Sequence, residues 1–79
     1  MPLYLQIHFG NGEIYETQLE DLYRSPHGAT PVATLKNGYE YRLAEYYKYE
    51  HNKETNTWIV YIWRDEPYSL EKAYFKKIK

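Results

Sequence analysis

Thr57-Trp58-Ile59-Val60-Tyr61-Ile62-Trp63-Arg64 is the stretch on which the fold turns. β-Branched and aromatic residues dominate it, which marks a strand. Both of its faces are apolar: Trp58, Val60 and Ile62 lie on one, and Ile59, Tyr61 and Trp63 on the other. A strand in a single solvated sheet normally shows one apolar and one polar face. The second face therefore meets a covering helix, or the sheet curls into a small barrel, or part of that face is exposed and binds a partner.

Upstream, Tyr39 to Tyr49 supplies five more tyrosines. Read as one long strand, it places Tyr39, Tyr41, Leu43, Tyr47 and Tyr49 on one face, interrupted by Glu45; a helix over Leu43 to Tyr49 is the competing reading. The polar run from His51 to Asn56 is the loop that joins this strand to Thr57–Arg64 in a long aromatic hairpin. Asp65-Glu66-Pro67 ends the second strand. Ser69 then caps a C-terminal helix with Leu70, Ala73, Tyr74 and Ile78 as its apolar stripe, and a last strand is the alternative.

At the other end, Leu3, Leu5, Ile7 and Phe9 alternate with Tyr4, Gln6 and His8, the period of a half-buried strand. Gly10-Asn11-Gly12 is a tight turn in which Asn-Gly supplies positive φ, and Glu13 to Thr17 is the returning strand. Thr17-Gln18-Leu19-Glu20 has capping-box spacing, and Leu19, Leu22 and Tyr23 fall on one helical face, so a helix of one or two turns is expected there. Ser25-Pro26 ends it. Val32 to Leu35 is a short strand, followed by a second Asn-Gly turn at Asn37-Gly38. The expected fold is α+β and mainly β: an antiparallel sheet of four or five strands built from hairpins, with one short helix after strand two and a short C-terminal helix. A small SH3-like barrel is the alternative architecture.

With 79 residues the chain has room for a single domain over 1–79. A domain of this size buries only about 60% of the surface its unfolded form exposes, so its stability margin is small. Cysteine is absent, which removes disulfides, thiolate nucleophiles and thiolate metal ligands. The beginning of the chain lacks a basic start with a long apolar run, and no stretch is long and apolar enough to span a membrane. The expected setting is cytoplasmic, in solution, without membrane attachment.

Net charge is −1 but unevenly placed. Residues 1–23 carry Glu13, Glu16, Glu20 and Asp21 and no Lys or Arg, whereas Lys72, Lys76, Lys77 and Lys79 near the other end face only Glu71. Such a split reflects solvated faces, steering of a charged partner, or mutual attraction of the two ends. Tyrosine is the unusual count: eleven, with two Trp and two Phe. Some must build the core, but so many hydroxyls are hard to satisfy inside so small a chain, which places several at the surface.

Catalytic patterns fail one by one. His8, His27 and His51 lack metal-ligand spacing to one another. Ser25 and Ser69 are explained by a proline turn and a helix start, and Ser25-Pro26-His27 puts a serine near a histidine in sequence only. Gly10-x-Gly12 lacks the Lys-Ser/Thr of a phosphate loop and precedes a strand. No cofactor or metal is implied, and the expectation is a non-enzymatic chain.

The functional expectation is a small protein-binding domain, an inhibitor or adaptor that occupies a partner protein's surface; by size, phage-encoded inhibitors of host defence are one instance. The partner-binding residues are Tyr46, Tyr47, Tyr49, Tyr61 and Trp63, since Tyr and Trp are enriched in hot spots, with Glu13, Glu16, Glu20 and Asp21 meeting a basic patch. The alternative is single-stranded nucleic acid stacked on the aromatic hairpin, with Arg42, Lys48, Lys53 and Arg64 at its phosphates. Glu40, Glu45, Glu50 and Glu54 offset those four charges, which ranks it second. An enzyme of unrecognised type ranks third, and a homodimer through the same surface is a further arrangement.

Overall fold

The computed structural model describes residues 1–24, 26–28 and 30–79. Among these residues seven strands form one mixed sheet: β1 (Leu3–His8), β2 (Ile14–Tyr23), β3 (Val32–Leu35), β4 (Glu40–Arg42), β5 (Tyr46–Asn52), β6 (Thr57–Ile62) and β7 (Lys76–Lys77), with one helix, α1 (Ser69–Tyr74), between β6 and β7. The lateral order is β4-β3-β2-β1-β6-β5, and β7 pairs with β2. β1 is central, antiparallel to β2 and parallel to β6, with Leu5 opposite Trp58 and Ile7 opposite Val60. The parallel pair corrects the expectation of four or five antiparallel strands. It equally excludes an all-antiparallel barrel.

This order forces curvature. β4 and β5 lie at opposite ends of the lateral order, yet only Leu43, Ala44 and Glu45 separate them. Four Cα steps reach at most about 14 Å, whereas the edges of a flat six-stranded sheet stand about 24 Å apart. The sheet therefore rolls until its edges approach, and the inward side chains of Leu5, Ile7, Leu19, Leu35, Val60 and Ile62 form a buried core with Phe9, Leu43 and Phe75. Among the described residues no backbone pairing joins β4 to β5. A polar latch instead ties β4, and the linker that follows it, to α1 and the end of β6. Arg64, just past β6, donates to both carboxylate oxygens of Glu71 in α1 at 2.8 and 3.0 Å and to Glu45, between β4 and β5, at 3.1 Å. Tyr41 of β4 donates its hydroxyl to the same Glu71 carboxylate, and the Tyr68 amide donates to it at 2.5 Å. Glu71 is fully buried.

The expected helix at Thr17–Tyr23 is strand. β2 runs unbroken to Tyr23, paired with β1 through Leu19 and with β3 from Leu19 to Tyr23. A bulge between Leu19 and Asp21 inserts Glu20, so Leu19 faces Leu35 and Leu22 faces Ala33. The inserted residue stretches the inward spacing from two to three, which imitates a helical face. The same device recurs in β5, where a bulge between Tyr46 and Lys48 sets Tyr46 opposite Ile62 and Tyr49 opposite Val60. It also accounts for the helical look of Leu43–Tyr49.

The single long strand over Tyr39–Tyr49 is likewise corrected: it is two strands at opposite edges, broken at Leu43-Ala44-Glu45, and the bulge puts Tyr47 and Tyr49 on different faces. The loop expected at His51–Asn56 starts later, because β5 continues to Asn52. Both Asn-Gly turns are present with only the glycine at positive φ, +91° at Gly12 and +90° at Gly38. In each, the Asn side chain accepts an amide two residues on, from Glu13 or Tyr39. That is a three-residue hairpin loop with a left-handed glycine, not a two-residue turn.

At the C-terminal end both readings of the sequence are realised: six residues of helix, then the two-residue β7. Ser69 lies inside the first turn, with Tyr68 at the N-cap position. The helix buries Glu71, while Ala73 and Tyr74 are exposed. The apolar stripe expected there is thus replaced by a buried acid. Phe75 supplies the apolar anchor, 5.3 Å from the Tyr41 ring. Ser25, read as the end of a helix and weighed as a nucleophile, lies outside the described residues.

Candidate functional site

The five aromatics expected to form one binding surface divide between two. The bulge in β5 turns Tyr47 and Lys48 outward together, and Tyr46 and Tyr49 towards the open side of the curl.

On the outer face, Tyr47 packs against Trp63 at 4.2 Å and against Tyr61 at 6.3 Å between ring centroids. Tyr61 also packs against His8 at 4.9 Å. Among the described residues no helix covers this face: Trp63 is 72% exposed and Tyr47 51%. Lys48 lies 5.3 Å from the Tyr61 ring and pairs with Glu50 at 3.1 Å. That pairing raises the Lys48 ammonium above its ordinary range through the hydrogen bond and charge of Glu50. His8 moves the other way: partial burial lowers its imidazole, against the opposing pull of Glu50.

The second surface is a cleft of about 630 Å³ on the open side of the curl, between the end of β2 and strands β5 and β6. Leu22, Leu43 and Val60 line it beside Tyr46, Tyr49 and Trp58, with Asp21 and Arg24 also in its wall. Trp58 is the hub. His51 stacks on it at 4.3 Å with 7° between planes, Tyr49 lies at 5.8 Å, and the Arg24 guanidinium is 4.5 Å from its ring centre. Two residues here, Arg24 and Trp58, were absent from the expected set. Trp58 reads as core by alternation, although the end of the curl leaves it half-buried. The only trace of Arg24 in the sequence is that it is the first positive charge after 23 residues without one.

The four acidic residues are scattered rather than gathered into one patch. Glu13 pairs with Lys77 at 3.6 Å, Glu16 accepts from Gln6 at 3.0 Å, and Glu20 pairs with Lys36 at 3.0 Å. Asp21 lies in the cleft wall. The Glu13 pair, with β7 laid on β2, realises the attraction between acidic and basic ends.

The buried latch has perturbed protonation. Burial alone pushes the Glu71 carboxyl up; hydrogen bonds from Arg64, Tyr41 and the Tyr68 amide, with the Arg64 charge, outweigh it and hold the group below the usual carboxylate range. Burial and the Glu71 carboxylate push the Tyr41 hydroxyl well above its ordinary value. Among the described residues no group of three or more His, Cys, Asp or Glu is placed to hold a metal ion, and no helix is long and apolar enough to cross a membrane. No protein-family model matches the chain, and neither curated proteins nor solved structures show significant similarity to it.

Proposed function

We propose that the chain is a non-enzymatic protein-binding domain, an inhibitor or adaptor that occupies a partner protein's surface with the outer face of the β5–β6 hairpin. One observation carries this reading: a Trp63 ring 72% exposed just past β6 and packed at 4.2 Å against the half-exposed Tyr47 at the bulge of β5. Aromatics fixed in advance bury large area at small entropic cost, which makes them binding anchors. Charge favours protein over a nucleic-acid strand on this face. Lys48 is paired with Glu50, and Arg64 is turned inward to Glu71 and Glu45. That leaves too little free positive charge to follow a phosphate backbone.

The test is affinity capture from the native cell, with the wild-type chain beside Trp63→Ala and Tyr47→Ala. The expected result is a stoichiometric protein partner held by the wild type and lost by both variants, whose far-ultraviolet circular dichroism stays native. Equal capture by all three chains would remove the outer face from the reading. A self-association mass by light scattering that collapses in the Trp63 variant would make the partner a second copy.

A further inference from the structure

We propose that two copies of this chain pair edge to edge through β5, antiparallel about a two-fold axis at Tyr49, so that the sheet runs on from one copy into the other. Among the described residues, β5 is the longest strand paired along one side only. β6 holds one side of Tyr46–Asn52, and no backbone hydrogen bond outside that ladder reaches these residues. The other strands with a free side, β4 and β7, have three and two residues. Tyr47, Lys48, Tyr49 and Glu50 are exposed in succession, which marks a strand open on both of its faces.

A free strand side is a template for another strand, and charge selects the occupant. Lys48 and Glu50 lie on one face, 3.1 Å apart, each about half exposed. Directly opposed residues of an antiparallel pair also share a face. A two-fold at Tyr49 therefore sets Lys48 of each copy opposite Glu50 of the other and closes a ring of four charges alternating in sign. Moving the axis one place, to Lys48 or to Glu50, sets that charge on its own counterpart, which is destabilising. On the opposite face Tyr49, 46% exposed, meets Tyr49 of the second copy as a cross-strand aromatic pair. The pairing is isologous and occupies the free side of both strands, so it closes at two copies. The bulge between Tyr46 and Lys48 keeps the added ladder short, which makes the dimer weak and reversible. Because the axis stands perpendicular to the sheet, both outer faces lie on one side, and the two Tyr47–Trp63 pairs point the same way.

The test is sedimentation equilibrium of the wild-type chain, of Lys48→Glu, Glu50→Lys and Trp63→Ala alone, and of the two charge variants mixed in equal amounts. The expected result is a reversible wild-type dimer with a dissociation constant of about 0.1 mM, weakened about tenfold or more in each charge variant by itself. The mixture recovers the dimer: every opposed pair is again of opposite sign, although the two charges within each strand remain alike. That separates the contact between copies from the contact within one. Trp63→Ala, which the outer face needs for its partner, leaves the dimer intact. The chain has no cysteine of its own, so Tyr49→Cys joins two copies on mild oxidation, since opposed Cα atoms about 4.5–5.5 Å apart suit a disulfide. Asn52→Cys, three residues from the axis, does not. A wild-type monomer at about 1 mM, ten times the expected constant, would overturn the proposal. So would a mixture no tighter than either charge variant alone, crosslinking of Asn52→Cys in preference to Tyr49→Cys, or a dimer that Trp63→Ala dissociates.

Discussion

Replacing Glu71 by Ala is expected to remove about 3–5 kcal/mol of stability, the cost of breaking one side of a buried ion pair. The structure places the effect at the lower end of that range for charge and adds to it for hydrogen bonding. Arg64 keeps Glu45 at 3.1 Å and the Glu66 carbonyl at 2.9 Å, so it is not left wholly uncompensated. The Tyr41 hydroxyl and the Tyr68 amide lose their acceptor, each costing about 1 kcal/mol or more if it stays buried. A chain of this length is stable by roughly 4–12 kcal/mol, so the variant stands near its unfolding threshold. At about 4–8 °C per kcal/mol, the melting temperature falls by roughly 12 °C or more.

Glu71→Gln keeps the shape and one acceptor and loses less, and it carries the pH argument. The folded-state value of Glu71 lies below its unfolded value of about 4.3. The unfolded chain therefore takes up the proton first on acidification. The stabilising contribution is complete above the unfolded value and is lost as pH falls through the folded one. Urea unfolding followed by tryptophan fluorescence, from pH 7 down to pH 3, measures both effects. The wild type should lose stability more steeply below about pH 5 than Glu71→Gln does. A loss of less than about 1 kcal/mol in Glu71→Ala, or parallel pH curves for wild type and Glu71→Gln, would refute the view that this latch holds β4 to α1 and the end of β6.

Other outcomes follow from the same geometry. In an imidazole titration by nuclear magnetic resonance, His8 should have a midpoint below about 6.5; because its folded value is depressed, its contribution to stability fades as pH falls below 6.5, and a midpoint at or above that value would contradict its partial burial. Gly38→Ala forces an L side chain to a φ of +90° and should cost about 1 kcal/mol in chemical denaturation. Hydrogen exchange should find the slowest amides in β1, which is paired on both sides, and faster ones in β4, a three-residue edge strand; the reverse order would contradict the lateral arrangement.

The sequence showed the strands where alternation is uninterrupted, as in Leu3 to Phe9, or where β-branched and aromatic residues crowd, as in Trp58 to Ile62, because both are local properties. It concealed the bulges at Glu20 and at Tyr47–Lys48, because one inserted residue turns a strand's spacing of two into a helix-like three. Strand partners were hidden for another reason: nothing in the pattern of Leu5 and Ile7 distinguishes a parallel neighbour from an antiparallel one. The aromatic surplus pointed to β5 and β6 as a surface, and Trp63 and Tyr47 are indeed exposed there. The division of those aromatics into an outer patch and a cleft depended on a register shift that composition does not record. Glu71 gave no sign of itself, since an acid amid helical charges reads as solvated until Arg64 arrives from elsewhere in the fold.

The central position of β1 also sets a timetable for synthesis. Its parallel neighbour begins at Thr57, opposite Tyr4, so roughly 50 residues must be added after β1 before that flank can be covered, a wait of about 3–10 s at ordinary rates of elongation. In the interval the β1–β4 meander can assemble with the outer edge of β1 bare and the Leu5 and Ile7 side chains shielded on one side only. The parallel contact spans most of the chain, so its closure is entropically costly and late. A nascent chain of this protein is most vulnerable to aggregation just before the β5–β6 hairpin arrives, and that hairpin covers the bare edge of β1 and carries the exposed aromatic face in the same step.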